Sequence, residues 1–297
     1  MDSRTLLMHQ VMLSDGPRLR AYDRALEQVV GPGDVVADLG AGTLALSLLA
    51  LRHGAGHVYA VEGDPSTAAL AARVAQDNDL KDRLTIVQGD ARRVRLPSRA
   101  DVVVGELMGN LGPEEEMPEI FADFVGHNLA EGGRVVPREL TTRLTAIQFD
   151  AEGWGVWSDD FLGHSLAAVQ DHVLPGAQLH FFQRDPILLS EHLAVAAVEL
   201  GATPGDGADR VLELPITRPG RLHAVMGSFT ARLTPEVTLS NFPSYPGCNW
   251  GVWIWPLRHT AVAEGDVLGV RLNRPDSVRE VTDWTLDCGM RRRGERR

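Results

Sequence analysis

Cysteine is nearly absent: Cys248 and Cys288 are the two in 297 residues, and neither belongs to a CxxC or Cys/His cluster. A structural zinc site and a disulfide framework therefore lack a basis, and two reduced thiols in a cytoplasmic protein are expected. No apolar run reaches the roughly 18 residues that span a membrane, and residues 1–16 contain no apolar core of an export signal. Neither membrane insertion nor secretion is expected. Lysine is represented by Lys81 alone among 29 basic residues, a bias expected of a GC-rich bacterial genome rather than of a function. Basic charge is short overall, since 29 Lys and Arg face 40 Asp and Glu for a net charge of −11. Nucleic acid and anionic surfaces are disfavoured as partners, and a cationic one is favoured.

The remaining composition is ordinary for a folded chain, with 44% hydrophobic residues, 30 Gly and 17 Pro, and no internal repeat. The length is near twice the common domain span of about 100–200 residues, which fits two units or one enlarged α/β unit. Helical spacing of apolar residues over 18–30 ends at Gly31-Pro32-Gly33. Strand patterns then follow at 34–39, 57–61, 84–88 and 101–104, alternating with helical patterns at 44–53, 65–78 and 115–129. That alternation predicts right-handed βαβ units and a doubly wound parallel sheet. After Pro137 the pattern becomes mainly antiparallel β, with runs at 140–149, 194–200, 221–233, 252–258 and 267–272. The predicted division is residues 1–137 as an α/β domain and 138–290 as a β-barrel-like domain, followed by a basic tail, 291–297. Residues 154–189 fit neither pattern and read as an insertion used for contacts, with a helix expected over 157–170.

Three strand ends carry candidate chemistry. Asp38-Leu-Gly40-Ala-Gly42 follows the first strand and opens a helix, where glycines let backbone approach a ligand, although a ligand-free tight turn uses the same residues. Leu44 and Ala45 stand where a dinucleotide fingerprint has its third glycine, which argues against NAD and for another adenosine-containing ligand. Glu62, ending the second strand, is placed to accept both hydroxyls of a ribose. Asp90, after the third, is placed to accept from an adenine amino group while the Ala91 backbone faces the ring; a surface turn also accounts for Asp90. Together these positions resemble the site of class I S-adenosylmethionine methyltransferases.

Beyond the fourth strand, Glu106-Leu-Met108-Gly109 is followed by Glu115, nine positions after Glu106. Here the chain resembles the protein arginine methyltransferase family, whose strand-end loop reads Glu-x-Met-Gly with a second glutamate nine positions on. Two carboxylates from one loop can grip a planar guanidinium by charge-assisted bonds and aim one nitrogen at the methyl donor. The neighbouring acids, Glu114 to Glu116, also suit the first turn of a helix opened by Pro113.

The resemblance extends along nearly the whole chain. His9, Met12, Leu13, Asp15 and Arg18 match the family segment lying over the cofactor, which implies Met12 near the reacting sulfur and Arg18 on the methionine carboxylate. Cys248-Asn249-Trp250 stands where the family has Thr-His-Trp, which implies Trp250 in the arginine pocket. Asn249 replaces the histidine that pairs with the aspartate matched by Asp15, so an Asp15/Asn249 hydrogen bond is retained while proton acceptance at Asn249 is not. Leu44 replaces the third glycine, and Leu6, Leu7 and Met8 stand where the family has an aromatic helix.

The resemblance thus implies an S-adenosylmethionine-dependent N-methyltransferase acting on arginine, with Glu106, Glu115, Asp15 and Asn249 at the reacting centre. Met12, Arg18, Asp38, Gly40, Gly42, Glu62, Asp90 and Ala91 are its expected cofactor residues, and Glu106, Glu115 and Trp250 its substrate residues. Free arginine, an arginine peptide or a protein arginine is the expected acceptor, and a homodimer through 154–189 the expected assembly. Methyl transfer to another amine or hydroxyl, and an inactive cofactor-binding protein, are the alternatives.

Overall fold

The computed structural model describes residues 3–172, 176–202, 211–245, 250–273 and 281–294. Two helices come first, α1 (Ser3–Leu13) and α2 (Gly16–Val29). The Asp15 side chain caps α2 by accepting from the Arg18 amide, and Pro17 in the first turn leaves no donor unsatisfied. The core face of α2 carries Tyr22, Ala25 and Leu26, all buried.

A parallel sheet follows from β1 (Val35–Leu39), α3 (Ala45–Arg52), β2 (His57–Glu62), α4 (Pro65–Asp77), β3 (Leu84–Gln88), β4 (Ala100–Gly105), α5 (Met117–Asn128) and β5 (Leu129–Val136). Its strand order is β3-β2-β1-β4-β5, all parallel. Successive crossovers run one way to β3 and then the other way to β4 and β5, so the order reverses beside β1. That reversal opens a crevice at the carboxyl edge, the position where doubly wound sheets bind ligands.

From Glu139 the chain is antiparallel: β6 (Glu139–Gln148), β7 (Gln178–His180), β8 (Ile187–Leu188), β9 (Leu193–Glu199), β10 (Leu212–Pro215), β11 (Gly220–Arg232), β12 (Thr238–Ser240), β13 (Val252–Val262), β14 (Val267–Asn273) and β15 (Thr285–Arg291). One sheet runs β7-β13-β11-β6-β8, with β12 also on β11 and β9 also on β6; the other runs β10-β14-β15. Leu144, Val225 and Trp255 from the first meet Leu214 and Val270 from the second in one buried core. Strand β11 is buried on both faces, because Phe229 and Ala231 pack instead with the core of the parallel sheet.

One expected element is not formed. Residues 157–170 do not make a helix; two short 3-10 turns, Gly153–Val156 and Ala167–His172, flank a tight reversal in which Phe161 and His164 bridge. Gly163 and Leu162 both take positive φ there, and the Asp160 carboxylate accepts from the Gly163 amide. The side chain of Asp160 thus closes a turn where the apolar spacing alone suggested a helix.

Candidate active site

The carboxyl ends of four adjacent strands, β3, β2, β1 and β4, carry the predicted residues in a row. Gly40 and Gly42 follow β1 with φ of 68° and 53°. A Cβ at Gly42 would stand 2.9 Å from the His9 ring of α1, and one at Gly40 would stand 2.5 Å from Leu107. The positive φ favours glycine at both, and a side chain there would also have to displace Leu107 or His9. Glu62 fixes this turn: its two carboxylate oxygens accept from the amides of Gly42 (2.8 Å) and Asp64 (2.9 Å), and each retains a lone pair for a further donor.

A pocket at this turn is lined by Met12 and His9 of α1, Arg18 and Tyr22 of α2, Asp38, the 40–43 backbone and Glu106. Asp38 is buried; one of its oxygens accepts from Ser47 at 2.7 Å, and the other is buried without a partner among the described residues. Burial pushes its carboxyl up to about 6. Asp90 and Ala91 lie outside this pocket at the β3 edge, where exposed Asp90 accepts from Arg92 and is held below the usual carboxylate range.

Glu106 follows β4 and is the chemical centre of the pocket. Arg18 donates to it at 2.6 Å, and the Met108 amide donates to its other oxygen at 3.1 Å. The pair is largely withdrawn from solvent, with side-chain exposures of 7% for Arg18 and 14% for Glu106. Burial raises the Glu106 carboxyl above its ordinary range against the opposing pull of Arg18. The Arg18 guanidinium also lies 3.5 Å from the centre of the Trp250 ring, and its Nε stands 3.3 Å from Asp15. Trp250 is held edge-on by Phe229 and donates its indole N–H to the Met108 carbonyl at 3.2 Å. The slot between Glu106 and Trp250 therefore already accommodates a planar guanidinium, that of the chain's own Arg18.

The acid nine positions after Glu106, Glu115, and its neighbour Glu114 are set differently in the turn. Neither lines the pocket; Glu115 is exposed, and the Glu114 carboxylate is buried and accepts from the Leu111 amide at 2.6 Å. The cause is local: Pro113–Glu115 is a 3-10 turn between Gly112 and Glu116, both at positive φ, which rotates Glu114 inward and Glu115 outward. Burial pushes the Glu114 carboxyl up to about 7. Asp15 is likewise placed at the α2 cap and against Arg18 rather than on the pocket wall. Asn249 and Cys248 lie outside the described residues.

Two residues at this site carried no sequence signal of their own. Tyr22, one helical turn after Arg18, donates to the Gly105 carbonyl at 3.0 Å and so registers α2 against the residue before Glu106. Asn241 joins the loop after Glu106 to the antiparallel sheet, through the Asn110 carbonyl at 2.7 Å.

Known proteins resemble this chain in sequence and in fold. Residues 6–115 match the model of the TRM5/TYW2 methyltransferase domain. The chain is 26% identical over 301 residues to protein arginine N-methyltransferase 1 of Chlamydomonas reinhardtii, covering 97% of this chain and 86% of that one. It is 36% identical over 149 residues to a probable histone-arginine methyltransferase of Oryza sativa subsp. indica, covering 50% and 28%. Among solved structures, the PRMT1 enzyme-prozyme heterotetrameric complex of Trypanosoma brucei with AdoHcy superposes with a TM-score of 0.80 at 20% identity, covering 97% and 93%. Arabidopsis thaliana protein arginine methyltransferase 10 gives the same TM-score and identity, covering 97% and 94%. The five-stranded parallel core followed by antiparallel sheets is the fold of these structures, and over nearly its whole length the chain is similar in sequence to a protein arginine N-methyltransferase.

Proposed function

We propose that this protein transfers the methyl group of S-adenosylmethionine to a guanidino nitrogen of arginine. The observation that carries the proposal is the Arg18 guanidinium, seated on a buried Glu106 carboxylate and over Trp250 at the rim of the glycine-lined pocket. The named relatives act on arginine, which supports the same acceptor here.

The residues present fit the cofactor. Arg18 offers a cation to a carboxylate, the partnerless Asp38 oxygen accepts one donor, and Glu62 and Asp90 stand along the strand ends for the nucleoside, with the Ala91 backbone beside them. Met12 closes the pocket from α1. When bound, S-adenosylmethionine supplies an electrophilic methyl group. The protein supplies orientation: Glu106 holds the acceptor by two-point charge-assisted bonding, and Trp250 restricts it to one plane. A guanidinium has a pKa of about 12.5–13.8, so its proton leaves only as the new bond forms, toward a carboxylate of the loop carrying Glu106, Glu114 and Glu115.

In this reading residues 1–137 are the cofactor-binding domain and 138–290 complete the acceptor cleft. The acceptor is free arginine or a small arginine peptide, with a protein arginine as the further candidate to be assayed. The protein acts in the cytoplasm as a homodimer, supported by the exposed Phe161 and Leu162 of the 154–189 segment. The deciding experiment is incubation of labelled S-adenosylmethionine with arginine, arginine peptides and arginine-rich protein, read by mass spectrometry. Methylated guanidino product is expected; methyl transfer to none of them, or to an amine or hydroxyl instead, rejects the proposal.

A further inference from the structure

The loop after Glu106 belongs by sequence to the parallel sheet, yet the antiparallel sheet holds it. Leu111 is buried in the core between the antiparallel sheets, its carbonyl accepts from the Thr142 hydroxyl at 2.9 Å, and the Met108 carbonyl accepts from the Trp250 indole. Asn241 adds the third tie and differs from the others in reaching both sides of the acceptor slot. Its Oδ1 accepts from the Phe229 amide at 2.8 Å, and its Nδ2 donates to the carbonyls of Asn110 and Gly251, each at 2.7 Å. Those partners fix the amide orientation, because one is an N–H and two are carbonyls. The residue is 3% exposed, with both of its N–H groups committed.

The three partners define the slot. Asn110 lies four residues after Glu106, Gly251 adjoins Trp250, and Phe229 packs edge-on against the Trp250 ring. Building on the proposed arginine methylation, we infer that Asn241 is a positioning residue for the acceptor: it sets the separation between the Glu106 carboxylate and the Trp250 face. It touches neither the acceptor nor the glycine turn of the cofactor pocket. Its loss widens or shifts the guanidinium slot and leaves the cofactor floor, held by Glu62 and Gly42, as it was.

The test compares two substitutions at 241 with one next to it. Asn241→Asp keeps the acceptor for Phe229 and turns an oxygen toward two carbonyls; Asn241→Ser removes all three bonds with little bulk change and serves if the aspartate variant does not fold. Ser240→Ala, at the end of β12 next to Asn241, removes a hydrogen bond to the Phe229 carbonyl (2.5 Å) and one from the Phe242 amide (3.1 Å) without touching Asn110 or Gly251. Arginine KM is expected to rise at least about tenfold in the 241 variants, since sub-ångström misplacement is costly in an oriented site. S-Adenosylhomocysteine affinity by calorimetry should stay within about twofold, because the hydrogen bonds of Asn241 go to Phe229, Asn110 and Gly251 and to none of Arg18, Glu62 and Gly42. Ser240→Ala should lower the melting temperature and leave KM within the same range. A KM at 241 no different from that of Ser240→Ala, or KM and cofactor affinity lost in parallel, overturns the assignment. Absence of arginine turnover in the parent protein rejects the functional proposal itself, and the role of Asn241 with it.

Discussion

Glu106 is penalised by burial and held charged by Arg18, so its substitution by the neutral isostere tests charge with shape kept constant. Glu106→Gln should lower arginine turnover by at least about a hundredfold, as for removal of an electrostatic contact in an enclosed site. Binding of S-adenosylhomocysteine should not weaken, because Arg18 is released rather than lost; a proportional fall in both would contradict the assignment. At the neighbouring turn, Glu114→Gln is expected to impair turnover more than Glu115→Gln, and the opposite ranking would restore the nine-residue spacing. Glu114 also has a pH signature. Its folded carboxyl is pushed up to about 7 from an ordinary 4.5, so the folded state binds more protons between those values and loses stability from this group as pH rises through them. Relative to the parent, Glu114→Gln should therefore gain up to about 3 kcal/mol from pH 4.5 to 7 in urea titrations. Leu44 is a third informative residue, a buried leucine at φ 73° where the related motif has glycine. Leu44→Gly relieves roughly 1–2 kcal/mol of backbone strain but removes a side chain worth about 2–5 kcal/mol, so net destabilisation is expected in thermal melts.

Elements differ in how far the sequence disclosed them. Strands β1 to β4 and their helices were legible because short apolar runs end at Gly40, Glu62, Gly89 and Gly105, each a break in periodicity. The residues proposed for the cofactor were readable as a row for the same reason, since most of them sit where strands end. The acceptor side was legible only in part. Which glutamate turns inward is decided by the 3-10 turn at Pro113–Glu115, and residue spacing does not encode that rotation. Tyr22 and Asn241 act on partners 83 and 131 positions away, so no local pattern marks them. The 154–172 segment misled because its apolar spacing is helical while Asp160 and Gly163 close a turn. Its base is seated on a stacked pair, His223 and His259, with ring centres 4.0 Å apart; the Trp154 carbonyl contacts His259, and Asp159 pairs with Arg221 close by. Burial, with His259 and Arg221 adding to it, lowers His223 to about 4 from 6.5. A depressed histidine contributes stability above its unfolded value and loses it as pH falls toward the folded one. The melting temperature should accordingly drop between pH 6.5 and 4, and His223→Gln, which keeps an acceptor for the Phe149 amide, should flatten that drop. An unchanged pH profile in His223→Gln would assign the acid sensitivity elsewhere.

At the scale of the whole molecule, the excess of 40 acidic over 29 basic residues suits a cationic acceptor, and no helix among the described residues is long and apolar enough to cross a membrane. The exposed Phe161 and Leu162, with Leu162 at 86% exposure, form the tip of a projecting turn. Light scattering at micromolar concentration should report a dimer, and Leu162→Asp should report a monomer with an unaltered melting temperature; a monomeric parent removes the dimer from the proposal. The loop from Glu106 to Glu116 has Met108 in the core of the parallel sheet and Leu111 in the core between the antiparallel sheets. This bears on recombination with relatives. Joining the halves of two relatives at Pro137, where the fold changes class, leaves Leu111, Asn110 and Met108 facing a foreign Thr142, Asn241 and Trp250 respectively. A chimera that is to inherit its acceptor preference from the β half must take its crossover ahead of Glu106, so that the loop travels with the sheet that holds it.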